Sequence, residues 1–549
     1  MKRVIFLLLI TFLLNGLLRA QRPNIIWLTC EDISPTLSMY GDSTAYTPNL
    51  DRLAKESIVY TNAFTTVGVC APSRSSIITG MYPTSIGTQH MRAGKDIHGW
   101  GARNYTLPSN AVDINGDSIP LYSVVTPPNV RCFTEYLREE GYYCTNNTKT
   151  DYQFASPITA WDANSEQAHW KNRKEQQPFF AVFNFGVTHE SRIWLNKNLP
   201  LTVAPESVPL PAYYPENPVV RNDVARNYSN IELLDKQIGQ KLKELEDAGL
   251  LENTIVFFFS DHGGPLPRGK REHYDSGLKV PFMVRLPNHK NGKFTDELVS
   301  FVDLAPTVLS LAGVEIPEYM QGQAFLGASK LPKARTYIFG SGDRFDGFPD
   351  RIRIVRDKQF LYVRNYHKEL PAYKDVSYRK NIDMMNELLK LKEEGKLTND
   401  QKYWFRSKKT SEELYDCLAD PENLHNLINT KKYGKKIAAM SNTMDKWLER
   451  VGDMGAIPEK EHLLTMWPNG IQPITEKPEL SYEENVIKLS CETKGASIAY
   501  IISDVEINPD FDSKWQLYHS PIEIKKGRKI YLQAHRIGYK ESEVLMLEL

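Results

Sequence analysis

Two carboxylate-bearing segments and one cysteine define the chemistry open to this chain. Glu31 and Asp32 follow one apolar run, and Asp261 and His262 follow another. Brought together, these four make a site for a divalent cation. Oxygen-rich ligation suits Ca2+ or Mg2+, and the softer His262 admits Mn2+ as an alternative. Between the two segments lies Val69-Cys70-Ala71-Pro72-Ser73-Arg74. A lone buried thiol is ordinarily inert, so any role for Cys70 must come from the motif around it. Arg74 stands four residues on. On a helix starting near Pro72, both side chains face one pocket, and the helix start adds backbone N–H groups for an anion. His189 follows a third apolar run, and an imidazole that titrates near neutrality suits a general acid.

The elements that must position these groups can be read around them. Pro23–Cys30, Phe179–Phe185 and Thr254–Ser260 are short, nearly continuous apolar runs, as expected of strands buried on both faces of a parallel sheet. Open α/β sheets hold ligands at the carboxyl edge of their strands. Leu234, Ile238, Leu242 and Leu245 repeat with helical spacing, and Arg131–Glu140 ends in a glycine stop at Gly141. An α/β catalytic domain is expected over 22–345. Residues 346–455 predict a smaller α+β unit. Short antiparallel strands are expected near Tyr337–Gly340, at the end of the first unit, and near Ile352–Arg356 and Phe360–Val363, with helices near 380–395 and 434–451. Pro458, Pro468, Pro473 and Pro478 suggest a linker over 456–476. The alternating 477–549 segment predicts a small β-sandwich-like module.

Cys70-Ala71-Pro72-Ser73-Arg74, followed by Thr79-Gly80, resembles the signature of type I sulfatases in the alkaline-phosphatase-like superfamily. The resemblance spans about residues 22–450 and implies a mixed or parallel sheet flanked by helices. It implies that a formylglycine-generating maturation enzyme converts Cys70 to formylglycine (3-oxoalanine). One hydroxyl of the hydrated aldehyde would attack sulfur, and the other would let the aldehyde reform and release sulfate. It implies Ca2+ held by Glu31, Asp32, Asp261, His262 and residue 70. By the same resemblance Arg74 holds the hydrate, and Lys149 bridges it to the sulfate. His189 contacts sulfate or protonates the leaving oxygen, which Lys270 stabilises. Glu31-Asp32 stands where many members carry Asp-Asp, and His262 where many carry Asn. Asp151 stands where many have His, so the proton acceptor for aldehyde regeneration is either Asp151 or a different His. His90 and Arg92 lie in a segment that borders the mouth in relatives and are candidates for gripping a sugar ring or uronate. Glu413–Asp416 with Asp420–Leu424 resembles the family's second-domain motif.

Composition narrows the remaining classes. The 549 residues are 41% hydrophobic and 24% charged, with Lys plus Arg equal to Asp plus Glu at 67 each. No global field favours nucleic acid or an anionic membrane. Lys2, Arg3, the apolar Val4–Leu18 and Ala20 read as a signal peptide over 1–20, predicting export to the periplasm or medium. No later run is long enough for a membrane helix. Six cysteines do not make a disulfide scaffold, and a Cys132–Cys144 pair is left open. Asn104, Asn146 and Asn227 sit in glycosylation-type triplets. The expected function is therefore a sulfatase of a sulfated polysaccharide or oligosaccharide, algal such as ulvan, or a glycosaminoglycan. Lys149–Tyr152 and Thr188–Ser191 look closest to bacterial relatives of heparan N-sulfatase, which makes an N-sulfoglucosamine sulfohydrolase an alternative. A phosphonate monoester or phosphodiester hydrolase of the same superfamily is another, and a non-enzymatic glycan-binding protein a third.

Overall fold

A computed structural model of the chain describes residues 22–91, 105, 109–287, 291–511, 513–523 and 527–549. The expected signal peptide and Arg92 lie outside the described residues. The central sheet has eight strands: β1 (Asn24–Cys30), β2 (Ser57–Phe64), β3 (Tyr143–Asn147), β4 (Ala163–Asn164), β5 (Phe179–Phe185), β6 (Thr254–Ser260), β7 (Phe282–Arg285) and β8 (Lys293–Ser300). Their order is β4-β3-β5-β1-β6-β7-β2-β8. Only β7 runs against its neighbours, β6 and β2. Passing through that one reversed strand leaves β2 parallel to β6. The strands preceding Glu31, Cys70, Lys149, His189 and Asp261 therefore all end on one edge. This is the mixed sheet flanked by helices that the sequence predicts.

Why β1 reads as continuously apolar is plain from its two faces. Ile26 and Leu28 pack with Phe183 and Phe258 against the helix Pro218–Asp247, which supplies Ile231, Leu234, Ile238, Leu242 and Leu245. Ile25 and Trp27 face the other way, onto Phe133, Leu137, Ile77, Leu304 and Val308. Trp27 meets Phe180, Phe257 and Phe259 edge-on at 4.9, 6.1 and 5.3 Å.

A second, antiparallel sheet follows: β9 (Ile338–Gly342), β10 (Ile352–Arg356), β11 (Phe360–Asn365) and β12 (Glu412–Asp416), in order β12-β11-β10-β9. One face packs on Phe64, Tyr274 and Leu298 of the catalytic unit. The other is covered by Met440, Met444 and Trp447 of the helix Gly434–Val451. The segment expected as a linker is instead structured. Glu459–Met466 is a helix preceded by Pro458, and Leu463, Met466 and Trp467 bury against Ile119, Tyr122 and Val124. Proline there starts an element, as its fixed φ permits. The last segment forms a three-stranded and a four-stranded antiparallel sheet around Ile487, Ile498, Ile522, Ile530 and Leu532.

All six cysteines are free, so Cys132 and Cys144 are not bridged; the Cys144 thiol faces the Thr134 carbonyl instead. Asn146 and Asn227 are buried and unavailable to a glycan, and Asn104 lies outside the described residues. No helix among the described residues is long and apolar enough to cross a membrane.

The aromatic cluster around Trp27 gives a packing prediction. Trp27→Ala opens a cavity under the site-bearing strands and should cost about 3–5 kcal/mol. It should lower the urea midpoint of the catalytic unit, with Trp27→Phe closer to the parent. Equal midpoints for Trp27→Ala and the parent would contradict this packing.

Candidate active site

The register of β1 sets the level of the site. Cys30 pairs with Phe185 on one side and Ser260 on the other. The Glu31 amide then donates to the Phe185 carbonyl (3.2 Å), and the Asp261 amide to the Cys30 carbonyl (3.1 Å). Glu31 and Asp261 thus stand side by side just beyond the sheet. Asp32 turns back with φ 56°, a left-handed conformation that costs free energy outside glycine and concentrates at functional sites. Its carboxylate accepts from the Glu190 amide at 2.7 Å.

The helix Cys70–Thr79 closes the site from the other side, and all ten of its residues are buried. It starts at Cys70, two residues before the expected position. The approach needs Gly68, because a Cβ there would lie 2.2 Å from the Glu272 carbonyl oxygen. The Ser73 hydroxyl donates to the Asp261 carbonyl (2.6 Å). Arg74 donates through Nε to Asp261 Oδ2 (3.0 Å) and through Nη1 to Asn184 Oδ1 (2.8 Å). Its Nη2 is buried without a partner. Cys70 Sγ lies 3.2 Å from His262 Nε2.

Three further cations or cation precursors converge. Lys149 Nζ lies 2.7 Å from Glu31 Oε2 and 3.5 Å from Asp151. Lys270 Nζ lies 2.8 Å from Asp32 and 3.5 Å from Glu190, so among the basic residues of its loop it is Lys270 that reaches the Asp32 carboxylate. His189 Nε2 stands 3.8 Å from Glu31, with Nδ1 2.8 Å from the Ser191 hydroxyl. Asp32, Cys70, Asp261 and His262 each offer a donor atom within 4.8 Å of the others, and so do Glu31, Asp32, Cys70 and His189.

Burial acts on every one of these groups, and charge decides the outcome. Burial alone would raise Glu31, but Lys149 and His189 hold it well below the usual range. Asp261 is drawn to about 2 against burial by His262 and Arg74. Asp32 is raised by burial in spite of Lys270. The thiol of Cys70 is pulled to about 7 against burial by Lys149 and Lys270. Burial and Lys270 push His189 down to about 4. His262 rises against burial to about 9, chiefly through Asp261.

The donor set fits a hard divalent cation. His262 Nδ1 lies 3.0 Å from the Gly263 carbonyl; donating there, it leaves Nε2 aimed at Asp32, 3.1 Å away. An outer carbonyl partner of this kind orients a ligating imidazole. The carboxylates of Asp261 and Asp32, which raise His262, carry charge that a cation would offset. Glu31, Asp32, Asp261 and His262 are the groups able to hold it, beside the side chain of residue 70.

His90 is not brought into this cluster. It is buried with Nδ1 3.7 Å from Glu459 and accepting from the Arg344 amide at 3.3 Å. Burial, aided by Arg344, pushes it down to about 4. It braces the chain after the Cys70 helix against the helix Glu459–Met466. Three residues that sequence reasoning missed take part: Asn184, Glu190 and Arg271. Asn184 had a faint signal as the one amide inside an apolar strand. Glu190 directly follows His189, and Arg271 directly follows Lys270. Arg271 clamps Glu190 (2.9 Å) and Asp346 (2.6 Å).

A sulfatase family model matches residues 23–314 of the chain. An ulvan-active sulfatase of Formosa agariphila is 44% identical, over 96% of this chain and 91% of that protein. The N-sulphoglucosamine sulphohydrolase of Homo sapiens is 27% identical over 79% and 91%. Among solved structures, a 2-O GAG sulfatase superposes with a TM-score of 0.56 at 19% identity, over 79% of this chain and 93% of that one, a likeness of fold.

A cation held here should stabilise the fold by mass action, about 2.7 kcal/mol at a hundredfold excess over its Kd. Adding Ca2+ to chelator-treated protein should raise the melting temperature, and EDTA should reverse it. Asp32→Asn and Asp261→Asn should abolish the shift. A parent protein that melts identically with Ca2+ and with EDTA would exclude a metal at this cluster.

Proposed function

From the sulfatase family, to which this chain belongs, we propose that this sulfuric ester hydrolase removes sulfate from a sulfated polysaccharide or oligosaccharide, with an ulvan-type glycan as the first choice. The observation that carries this reading is a dehydrated cluster in which Arg74, Lys149 and Lys270 surround residue 70 beside three carboxylates and His262. Support for the glycan comes from the 44% identity to an ulvan-active sulfatase, over 96% of this chain. The N-sulfate of glucosamine is the second reading, supported by the weaker 27% identity to the human sulphohydrolase.

Residue 70, once converted to formylglycine, would supply a hydroxyl nucleophile, and Ca2+ held by Glu31, Asp32, Asp261 and His262 would supply a Lewis acid. The chain's own groups do the rest. Arg74 is fixed by Asp261 and Asn184, so its unpartnered Nη2 is held ready to donate to an anion. Preorganised donors of this kind in a water-excluded site are commonly the largest contribution to rate. Lys149 and Lys270 are each tethered to a carboxylate on one side and offer their remaining N–H groups to the ester. His189 presents Nε2 to the cluster while Ser191 fixes its ring. An anionic ester beside it raises its hold on a proton for the leaving oxygen. The 3.5 Å approach of Asp151 to Lys149 supports Asp151 as the proton acceptor for aldehyde regeneration, with a different His as the alternative. Export through residues 1–20, a maturation enzyme acting on Cys70, and division into units over 22–345, 346–455 and 477–549 belong to this reading.

Matured protein should release sulfate both from para-nitrophenyl sulfate and from ulvan oligosaccharides. Cys70→Ser should stay folded and lose turnover, and Lys149→Met should lower kcat by roughly 10²- to 10³-fold. Faster cleavage of an aryl phosphonate than of the aryl sulfate would overturn the reading in favour of a phosphonate hydrolase.

A further inference from the structure

Beside the cluster, on the far side of Asn184, runs a groove of about 510 Å³, a size typical of small-ligand sites. Its polar walls come from Asn147, Arg192, Asn196, Gln237 and Lys241, and no carboxylate among the described residues lines it. We infer that this groove is a second anion subsite, which takes a sulfated or uronate sugar unit neighbouring the unit that is desulfated. The inference rests on the polysaccharide reading above and deepens it.

The groove has free cationic capacity. Arg192 spends only Nε, in a long 3.4 Å bond to the Gly186 carbonyl, and its two terminal nitrogens donate to nothing among the described residues. A guanidinium offers those nitrogens as a fork that matches a carboxylate or sulfate. Lys241 lies over the Phe183 ring (4.7 Å) and shares one bond with Glu244 (2.9 Å), leaving two of its three N–H donors. Glu244 is also claimed by His169 at 2.9 Å and Lys171 at 3.3 Å, so it does not neutralise both groove cations. Asn147 spends its amide nitrogen on backbone carbonyls and keeps its oxygen for a sugar hydroxyl.

The groove is also in the right place. Its wall toward the catalytic cluster is one layer of amides. Asn184 Oδ1 accepts from Arg74 (2.8 Å) while its Nδ2 donates to Asn146 Oδ1 (2.9 Å) and the Asn147 carbonyl (3.1 Å). Gly186 belongs to both sides: it lines the groove, and a Cβ there would stand 3.5 Å from Glu31 Oε1. His189 follows three residues later. A chain whose sulfated unit sits at residue 70 can pass over the Gly186–Thr188 turn and set its next anionic group between Arg192 and Lys241.

The test uses full-length matured enzyme carrying Arg192→Gln, Lys241→Gln or both. Arg192 is exposed and Lys241 part-buried, and melting temperatures check that each variant folds. With ulvan as substrate, KM for the double variant should rise about five- to tenfold at low salt, the difference shrinking as ionic strength screens it. With para-nitrophenyl sulfate, too small to reach the groove, kcat/KM should stay within about twofold of the parent. An unchanged KM for the polymer overturns the subsite while leaving the polysaccharide reading intact, and so does an equal loss on both substrates. A parent enzyme that turns over the aryl sulfate but frees nothing from sulfated polysaccharides overturns that reading, and the subsite with it.

Discussion

Four carboxylates, each paired with a permanent cation, share one buried volume, and that pairing is the condition on which the rest of the structure depends. Glu31, Asp32, Asp261 and Glu190 are each at most 7% exposed, as are Arg74, Lys149, Lys270 and Arg271. An isolated charge is not tolerated at such burial. Each acid therefore has a base within hydrogen-bond reach: Glu31 with Lys149, Asp32 with Lys270, Asp261 with Arg74, Glu190 with Arg271. Removing one member strands its partner at a cost of about 3–5 kcal/mol. Such an arrangement is weak as a source of stability. It is strong as a way to hold several cations around one point, which is what an anionic ester needs.

The sheet supplies the common edge that this pairing requires. β1 lies between β5 and β6 and is in register with both, so Glu31 and Asp261 leave the sheet at one height. β3 brings Lys149 from one flank. The reversed β7 allows β2 to bring the Cys70 helix from the other. Elements far along the chain then fix the rim: Asp346, from the connection between β9 and β10, binds Arg271, and Arg344 binds Glu459 through Nη2 at 2.7 Å. The second sheet thus holds the site's outer cations and is part of its frame.

What could be read from the sequence divides along the same physical line. Strands buried on both faces announce themselves as unbroken apolar runs, so β1, β5 and β6 were legible to within one residue. So was Lys270, although only its 2.8 Å approach to Asp32 separates it from Arg268 and Arg271. Long-range charge pairing left no such trace. His90 looked like a rim residue because nothing local shows that Glu459, more than three hundred residues away, closes over it. The same pairing hid the helix Glu459–Met466 behind four prolines. Glu190 and Arg271 looked like ordinary loop charges because burial cannot be seen in residues flanked by polar neighbours.

The C-terminal module carries this argument one step further. It resembled a detachable β unit, yet its contacts are those of an integral part. Arg536, buried, donates to the Thr126 carbonyl. Ile537 joins the core beneath Trp27. The Trp515 carbonyl accepts from Arg138, whose guanidinium also holds Asp162 at 2.9 Å. Asp162 in turn accepts from the Cys144 amide in β3. Trp515 also packs on Ile158. The stretch from Thr126 to Asp162 therefore has the module on one side and the sheet on the other, and it is this stretch that carries Lys149 and Asp151. Lys149, buried just beyond the short strand β3, is held against Glu31 at 2.7 Å. A base that must meet an anion within a few tenths of an ångström needs a frame behind it. Here that frame is built from the last seventy residues of the chain.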